Sequence, residues 1–268
     1  MQITAKTWNE YITRLSRLNQ KAGQLMRQYI DTHGTGDTDA LITYAAALVT
    51  KYGEGSAELA CQMYDALAEA ANAGVPAAEP AEPADYSEVA RMVNATKNQN
   101  PANLPNGVSR LVKRAGADTT LKNAVRDGAE WAWVPHGDTC PFCITLASNG
   151  WQKASSKVLK GGHAEHIHAN CDCEFAIRFD HNTTVAGYDP EKYLKQYRDA
   201  GGDINKMRRV NYADNKERIN AQKRAAYAAR RLREQANRGI LDDIMGGYLL
   251  VTCLLYTSPS PRDPKTSR

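Results

Sequence analysis

Trp131-Ala132-Trp133-Val134 leads into Cys140-Pro141-Phe142-Cys143, and His168-Ala169-Asn170-Cys171-Asp172-Cys173 leads into Glu174-Phe175-Ala176-Ile177-Arg178-Phe179. The first of these runs is short and apolar, and the last alternates apolar and polar side chains, so both read as strands. A cysteine pair sits at the end of one strand and another at the start of its neighbour. Thiolate and imidazole donors suit a tetrahedral zinc ion, and C-x-x-C can offer two sulfurs to one metal. The pattern predicts a two-strand element that zinc pins, since such a pair is too small to hold itself. Five donors compete for four places: Cys140, Cys143 and Cys171 come first, with His168 and Cys173 as rivals for the fourth. Zinc binding in small peptides is worth about 10–16 kcal/mol, so the ion would act as a fold-maker.

Two other readings of the cysteines weigh less. A pair of disulfides suits an oxidising compartment, but Met1-Gln2-Ile3-Thr4 runs straight into a polar helical pattern without a secretory leader, and this predicts a reducing one. A thioredoxin-like redox pair would call for a βαβ pattern around Cys140 and Cys143, which is absent. Cys61 stands among apolar helix residues and reads as a core thiol.

Outward from this element the chain reads as helical. Trp8, Tyr11, Leu15, Leu18, Ala22, Leu25 and Tyr29 recur in steps of three and four, which predicts one helix over 7–30. A second is expected over Ala40–Tyr52, ended by Gly53 and Gly55, and a third from Ser56 to about Asn72. Gly74 to Asp85 carries Pro76, Pro80 and Pro83 among alanines and glutamates and reads as a semi-extended linker. Helical signals return over Ser87–Thr96, Pro101–Ala115, Thr119–Asp127, Glu191–Ala200 and much of Ile204–Asn237, with Pro190 well placed at a helix start. The fold class is therefore mainly α with a small zinc-pinned β element (α+β). The expected divisions are a helical N-terminal region (1–73), a linker (74–86), a zinc-containing domain (87–190) and a basic helical tail (191–247). Residues 252–268, with Cys253 to Asp263 at their centre, change composition abruptly and resemble the translation of a sequencing adapter. The reading expects the natural protein to continue differently after about Val251 and sets this end aside.

The 268 residues are 24% charged and 42% hydrophobic, ordinary for a globular protein. No run of 18 apolar residues predicts a membrane span. The formal net charge is only +4, but Asp203–Arg238 holds eleven Lys and Arg against four Asp and Glu. That stretch nets +7, and the rest of the chain about −3. Arg208, Arg209, Lys216, Arg218, Lys223, Arg224, Arg230, Arg231 and Arg233 could neutralise phosphates of double-stranded DNA without reading sequence. A solvated helix face, with Glu217 and Glu234 pairing locally, accounts for them equally well. Tyr212 and Tyr227 are too few for single-strand stacking, and no Gly-rich phosphate loop or dinucleotide fingerprint is present.

The string from Trp131 to Pro190 resembles phage head-morphogenesis proteins of the Mu F-like minor capsid type, in the version of actinobacterial phages and prophages. The resemblance rests on Val134-Pro135, Thr139-Cys140-Pro141-Phe142-Cys143, Leu146-Ala147-Ser148-Asn149-Gly150, Gly161-Gly162, His168-Ala169-Asn170-Cys171-Asp172-Cys173 and Gly187-Tyr188-Asp189-Pro190, in that order and spacing. It implies a virion protein in few copies, associated with the portal and other head proteins during assembly and in contact with packaged DNA. Such a protein resides in the host cytoplasm during assembly and then in the virion head. Residues 1–90 share only a helical arrangement with that family.

Catalysis is the rival reading. A zinc nuclease also clusters His and Cys, and His166 or Glu165 could activate water. Four sulfur or nitrogen ligands close the ion against water, however, so the zinc reads as structural and the protein as a non-enzyme. A maturation protease lacks support, since no G-x-S-x-G elbow or other nucleophile setting stands out around Ser148 or Ser155. His163 and His166 read as members of a polar loop. His136, before Gly137, reads as a surface group or a support for a ligand rather than as a ligand.

Overall fold

A computed structural model of the chain describes residues 2–137, 139–156 and 172–221, with 223–225, 227–228, 231–232 and 235 beyond them. Met1–Arg208 forms one compact unit and a second begins at Arg209. The first unit is mainly helical with two small sheets. In chain order it runs β1 (Gln2–Ile3), α1 (Ala5–His33), α2 (Thr38–Ala70), α3 (Tyr86–Gln99), a 3-10 turn (Pro101–Asn103), α4 (Leu104–Asp127), β2 (Glu130–Val134), α5 (Pro141–Ala147), β3 (Gln152–Lys153), β4 (Glu174–Arg178), β5 (Thr184–Val185) and α6 (Pro190–Asp199). No described helix is long and apolar enough to cross a membrane.

Side-chain caps set the helix starts. Thr4 accepts the Thr7 amide at 3.1 Å, Asp37 that of Ala40 at 3.0 Å, Asp85 that of Glu88 at 2.8 Å and Asp189 that of Glu191 at 3.0 Å. Each satisfies an amide that the helix itself cannot. The apolar stripe of α1 is buried as its period predicts, through Trp8, Tyr11, Ile12, Leu15, Ala22 and Met26.

Two expected breaks do not occur. Thr38–Ala70 is one helix of 33 residues that runs through Gly53 and Gly55. Leu104–Asp127 is likewise one helix of 24, unbroken between Ala115 and Thr119. Glycine costs a helix about 1 kcal/mol relative to alanine, but here it permits close approach. A Cβ on Gly53 would stand 3.0 Å from the Pro83 ring, and one on Gly116 would stand 2.6 Å from Ser56 Oγ. These glycines are packing residues of helix interiors, not stops.

The proline-bearing stretch 74–85 is extended, as its composition predicts, but it is fastened rather than free. Its amides at Ala78, Glu79 and Ala81 donate to Asp65 Oδ1 (2.7 Å), Asn123 Oδ1 (2.9 Å) and Thr119 Oγ1 (2.9 Å). Asn123 Nδ2 returns a bond to the Glu79 carbonyl at 2.8 Å, and Arg126 donates to the carbonyls of Pro76 and Ala77 at 3.0 and 3.1 Å. The stretch is a strap across α2 and α4. The expected boundaries at 73/74, 86/87 and 190/191 all fall inside the one unit Met1–Arg208.

The first unit has two cores. One joins the C-terminal half of α1 to the N-terminal halves of α2 and α4 and to α3, around Met26, Leu41, Val49, Val89 and Leu104. The other joins Trp8, Tyr11, Ile12 and Leu15 of α1 to Trp131, Trp133, Phe175 and Ile177 of the sheet and to Cys143 and Cys173. The sheet that carries the cysteines is thus built against the first helix of the chain.

Candidate metal centre

β2 and β4 pair antiparallel, with Trp131 opposite Ile177, Trp133 opposite Phe175 and Val134 opposite Glu174; β3 flanks β2 on its other side. The expected strands are both present. Phe175 meets Trp131 and Trp133 edge-on, with ring centroids 5.3 and 4.7 Å apart. At the far end, Arg178 Nε donates to the Glu130 carboxylate across the register at 2.6 Å. This register decides the site: the chain leaving β2 at Val134 lies beside the chain entering β4 from Cys173.

Cys140 stands just before α5, and Pro141, with its φ already near the helical value, opens the helix. The turn brings Cys140 Sγ within 3.5 Å of Cys143 Sγ. Two sulfurs on one tetrahedral zinc stand about 3.8 Å apart, given Zn–S bonds of about 2.3 Å. The pair therefore fits chelation of one ion. Cys140 is half-buried, Cys143 buried, and Cys140, Cys143, Cys173 and Cys61 are all free thiols. The disulfide reading finds no bridge among the described cysteines.

Cys173 is fully buried, and its sulfur accepts the backbone N–H of His136 at 3.4 Å. Its carbonyl accepts Lys113 Nζ of α4 at 2.8 Å, and Lys113 itself is only 3% exposed. Asp172 accepts the Ser16 hydroxyl of α1 at 2.6 Å. His136 Nε2 lies 3.2 Å from Asn9 Oδ1, again on α1, while its Nδ1 is buried without a hydrogen-bond partner. Next door, Glu174 is buried and accepts the Phe175 amide at 3.0 Å. Burial first, and then the Glu174 charge, hold the Tyr11 hydroxyl well above its ordinary pKa. Cys61 is a core thiol, as its surroundings predict: burial, then Glu58 and Asp65, pushes it up to about 11.

Of the five expected donors, the described structure places three. Cys140 and Cys143 form a pair, and Cys173 belongs to the same apolar cluster. His168 and Cys171 lie outside the described residues, as do His163, Glu165 and His166. Among the described residues, no three His, Cys, Asp or Glu side chains form a complete metal-binding group. Ser148 donates its hydroxyl to the Thr145 carbonyl at 2.7 Å. The sequence reading did not single out Asn9, Ser16, Lys113 or Glu174. None carries a motif; each is recruited by tertiary contact.

The expected phosphate-contacting residues divide between the units. Arg208 belongs to the first unit and is exposed, with Nη1 3.4 Å from Asn205 Oδ1. In the second unit residues 209–221 are helical, and Arg209, Lys216, Arg218, Lys223, Arg224 and Arg231 are all exposed. Lys223 Nζ lies 5.9 Å from the Tyr212 ring centre. Arg230 and Arg233 lie outside the described residues.

A mainly helical body that carries a cysteine-bearing sheet at its centre is the class defined by this geometry. The sequence matches the model of the VG15 protein family over residues 2–200, and the chain belongs to that family, a phage-type viral family. The match spans both cores and the sheet. No curated protein and no solved structure matches the chain.

Proposed function

We propose that the chain is a minor capsid protein of a phage or prophage head, associated with the portal during head morphogenesis, and that a structural zinc holds its cysteine-bearing sheet. The observation that supports this best is the Cys140–Cys143 pair, thiols 3.5 Å apart. It sits where β2 ends, and β2 pairs with the strand that begins after Cys173. The string that resembles Mu F-like proteins thus spans one folded element, and the phage-type family is consistent with it. When bound, zinc would cross-link that element. Cys140 and Cys143 would hold it, with one thiol of the second pair and one further donor. Such a closed ion offers no place for an attacking water, so the reading includes no catalytic step.

The exposed basic residues extend the proposal. A row of Lys and Arg free of base-reading partners suits non-specific contact with packaged double-stranded DNA. The test is the composition of purified particles. The chain should be present in few copies relative to the major capsid protein and should stay with the portal when heads are disrupted. Its presence in the infected cytoplasm but not in particles would refute the proposal. Metal-dependent cleavage of DNA by the purified chain would favour a nuclease instead.

A further inference from the structure

His136 and Cys173 are fixed side by side, and one atom of the pair is left without a role. His136 Nδ1 is shielded from water and has no hydrogen-bond partner. Folded proteins seldom leave a buried nitrogen in that condition unless it serves a ligand or an ion. We infer that His136 Nδ1 is the nitrogen ligand of the metal, with Cys140, Cys143 and Cys173 as its sulfur ligands; the inference rests on the zinc reading proposed above.

The tautomer supports it. Asn9 Oδ1 accepts from Nε2 at 3.2 Å, so the ring proton sits on Nε2 and the lone pair on Nδ1. A histidine that ligates a metal characteristically hands its other N–H to an oxygen acceptor, which orients the ring and raises its basicity. Asn9 supplies that acceptor from α1, the helix packed against the sheet. The location supports it too. The His136 amide donates to Cys173 Sγ at 3.4 Å, so the orphaned nitrogen and the buried sulfur share one local frame. Cys140 and Cys143 form the second pair at 3.5 Å, and Cys140 packs against the apolar cluster that holds Cys143 and Cys173.

The donors therefore come as two pairs, one on each side of the β2 exit. Binding would close them on one ion, with the three thiols releasing their protons to water and the neutral imidazole releasing none. The set is three sulfurs and one nitrogen, a closed structural combination. His168, the donor that the sequence favoured, then has no necessary place.

The test uses the full chain expressed with zinc. Zinc content is measured first, then zinc affinity by chelator competition and the absorption of the cobalt(II)-substituted protein. The variants are His136→Ala, His136→Cys, Asn9→Ala and His168→Ala. The wild type should hold about one ion per chain, with a three-thiolate cobalt spectrum. His136→Ala should weaken binding by more than about a hundred-fold, and Asn9→Ala by about 10–100-fold, the range for residues that orient a ligand. His136→Cys should restore tight binding and add one thiolate to the cobalt charge-transfer band. This gain of signal reads the role even if the alanine variant folds poorly. His168→Ala should match the wild type. A wild type without zinc would overturn both this inference and the zinc reading. A zinc-bearing wild type whose affinity and spectrum His136→Ala leaves unchanged would overturn the inference alone. So would His136→Cys without the added band, or collapse of binding in His168→Ala only.

Discussion

Thr119→Val tests whether the proline-bearing stretch is a strap or a linker. Valine nearly preserves the shape of threonine but cannot accept a hydrogen bond. Thr119 Oγ1 accepts the Ala81 amide at 2.9 Å while donating to the Ala115 carbonyl one helical turn back. Thr119 is fully buried and Ala81 only 5% exposed. The substitution therefore strands the Ala81 N–H in an apolar setting, at a cost of about 1–3 kcal/mol for an unsatisfied buried donor. The Ala115 carbonyl is affected less, because the helix ladder still reaches it. For a unit of this size, 1 kcal/mol corresponds to about 2–4 °C in Tm. Urea unfolding should show a lower midpoint with an unchanged slope, since the surface exposed on unfolding is the same. Hydrogen exchange should locate the loss first at residues 77–82. A free linker would make the substitution almost silent, within about 0.5 kcal/mol. A shift that small, with unchanged exchange along the strap, would refute the reasoning.

Three further outcomes are expected. Hydrogen bonds from Arg114 hold the Glu88 carboxyl below its usual range; a folded pKa below the unfolded one gives stability that is present above about pH 4.3 and lost as pH falls through the folded value, so Arg114→Gln should reduce the loss of urea midpoint between about pH 6 and pH 3. Trp133→Ala removes a fully buried ring stacked edge-on against Phe175 and should cost about 3–5 kcal/mol in equilibrium unfolding; a cost near that of a surface change would mean that the sheet is not part of the core. If the basic residues meet DNA, duplex affinity should be independent of sequence and fall steeply with salt, and neutralising Arg209, Lys216, Arg218, Lys223, Arg224 and Arg231 should flatten the log–log slope by about 0.9 per true contact. An unchanged slope would leave them as a solvated face.

How much of this was legible depended on what each residue does. The stripe of α1 was readable because its apolar side chains recur at helical steps and are buried for that reason. The β2 and β4 strands were readable because alternation and aromatic content survive in short runs. Gly53 and Gly116 misled because a glycine that ends a helix and one that admits a neighbour are identical in sequence; only the nearness of Pro83 and Ser56 separates them. The strap misled differently. Proline and alanine announce an extended chain, but Thr119, Asn123 and Arg126, which fasten it, are polar residues of another helix and follow no apolar period. β1 is two residues long and pairs in parallel with β5, which no local pattern could signal. His136 read as a turn residue because its distinguishing property is an absence, a nitrogen without a partner, which exists only in three dimensions.

The placement of α1 changes what the cysteine element requires. Sequence composition set the helices before Pro76 apart from the sheet. Yet Asn9 holds His136, Ser16 holds Asp172, and Trp8, Tyr11, Ile12 and Leu15 share a core with Trp131, Trp133 and Cys173. Lys113 of α4 fixes the Cys173 carbonyl from the opposite direction. A zinc-pinned sheet cut from these helices would lose its apolar floor and the acceptor that orients His136. Conversely, an ion that fixed His136 and Cys173 would stiffen the N-terminal half of α1 through Asn9 and Ser16. Loss of the metal should therefore lower hydrogen-exchange protection in α1 around residues 8–16 as well as in β2 and β4. Protection around Val49 and Val89, in the other core, should fall much less. Loss confined to 130–178 would mean that the sheet and the helix do not share their stability.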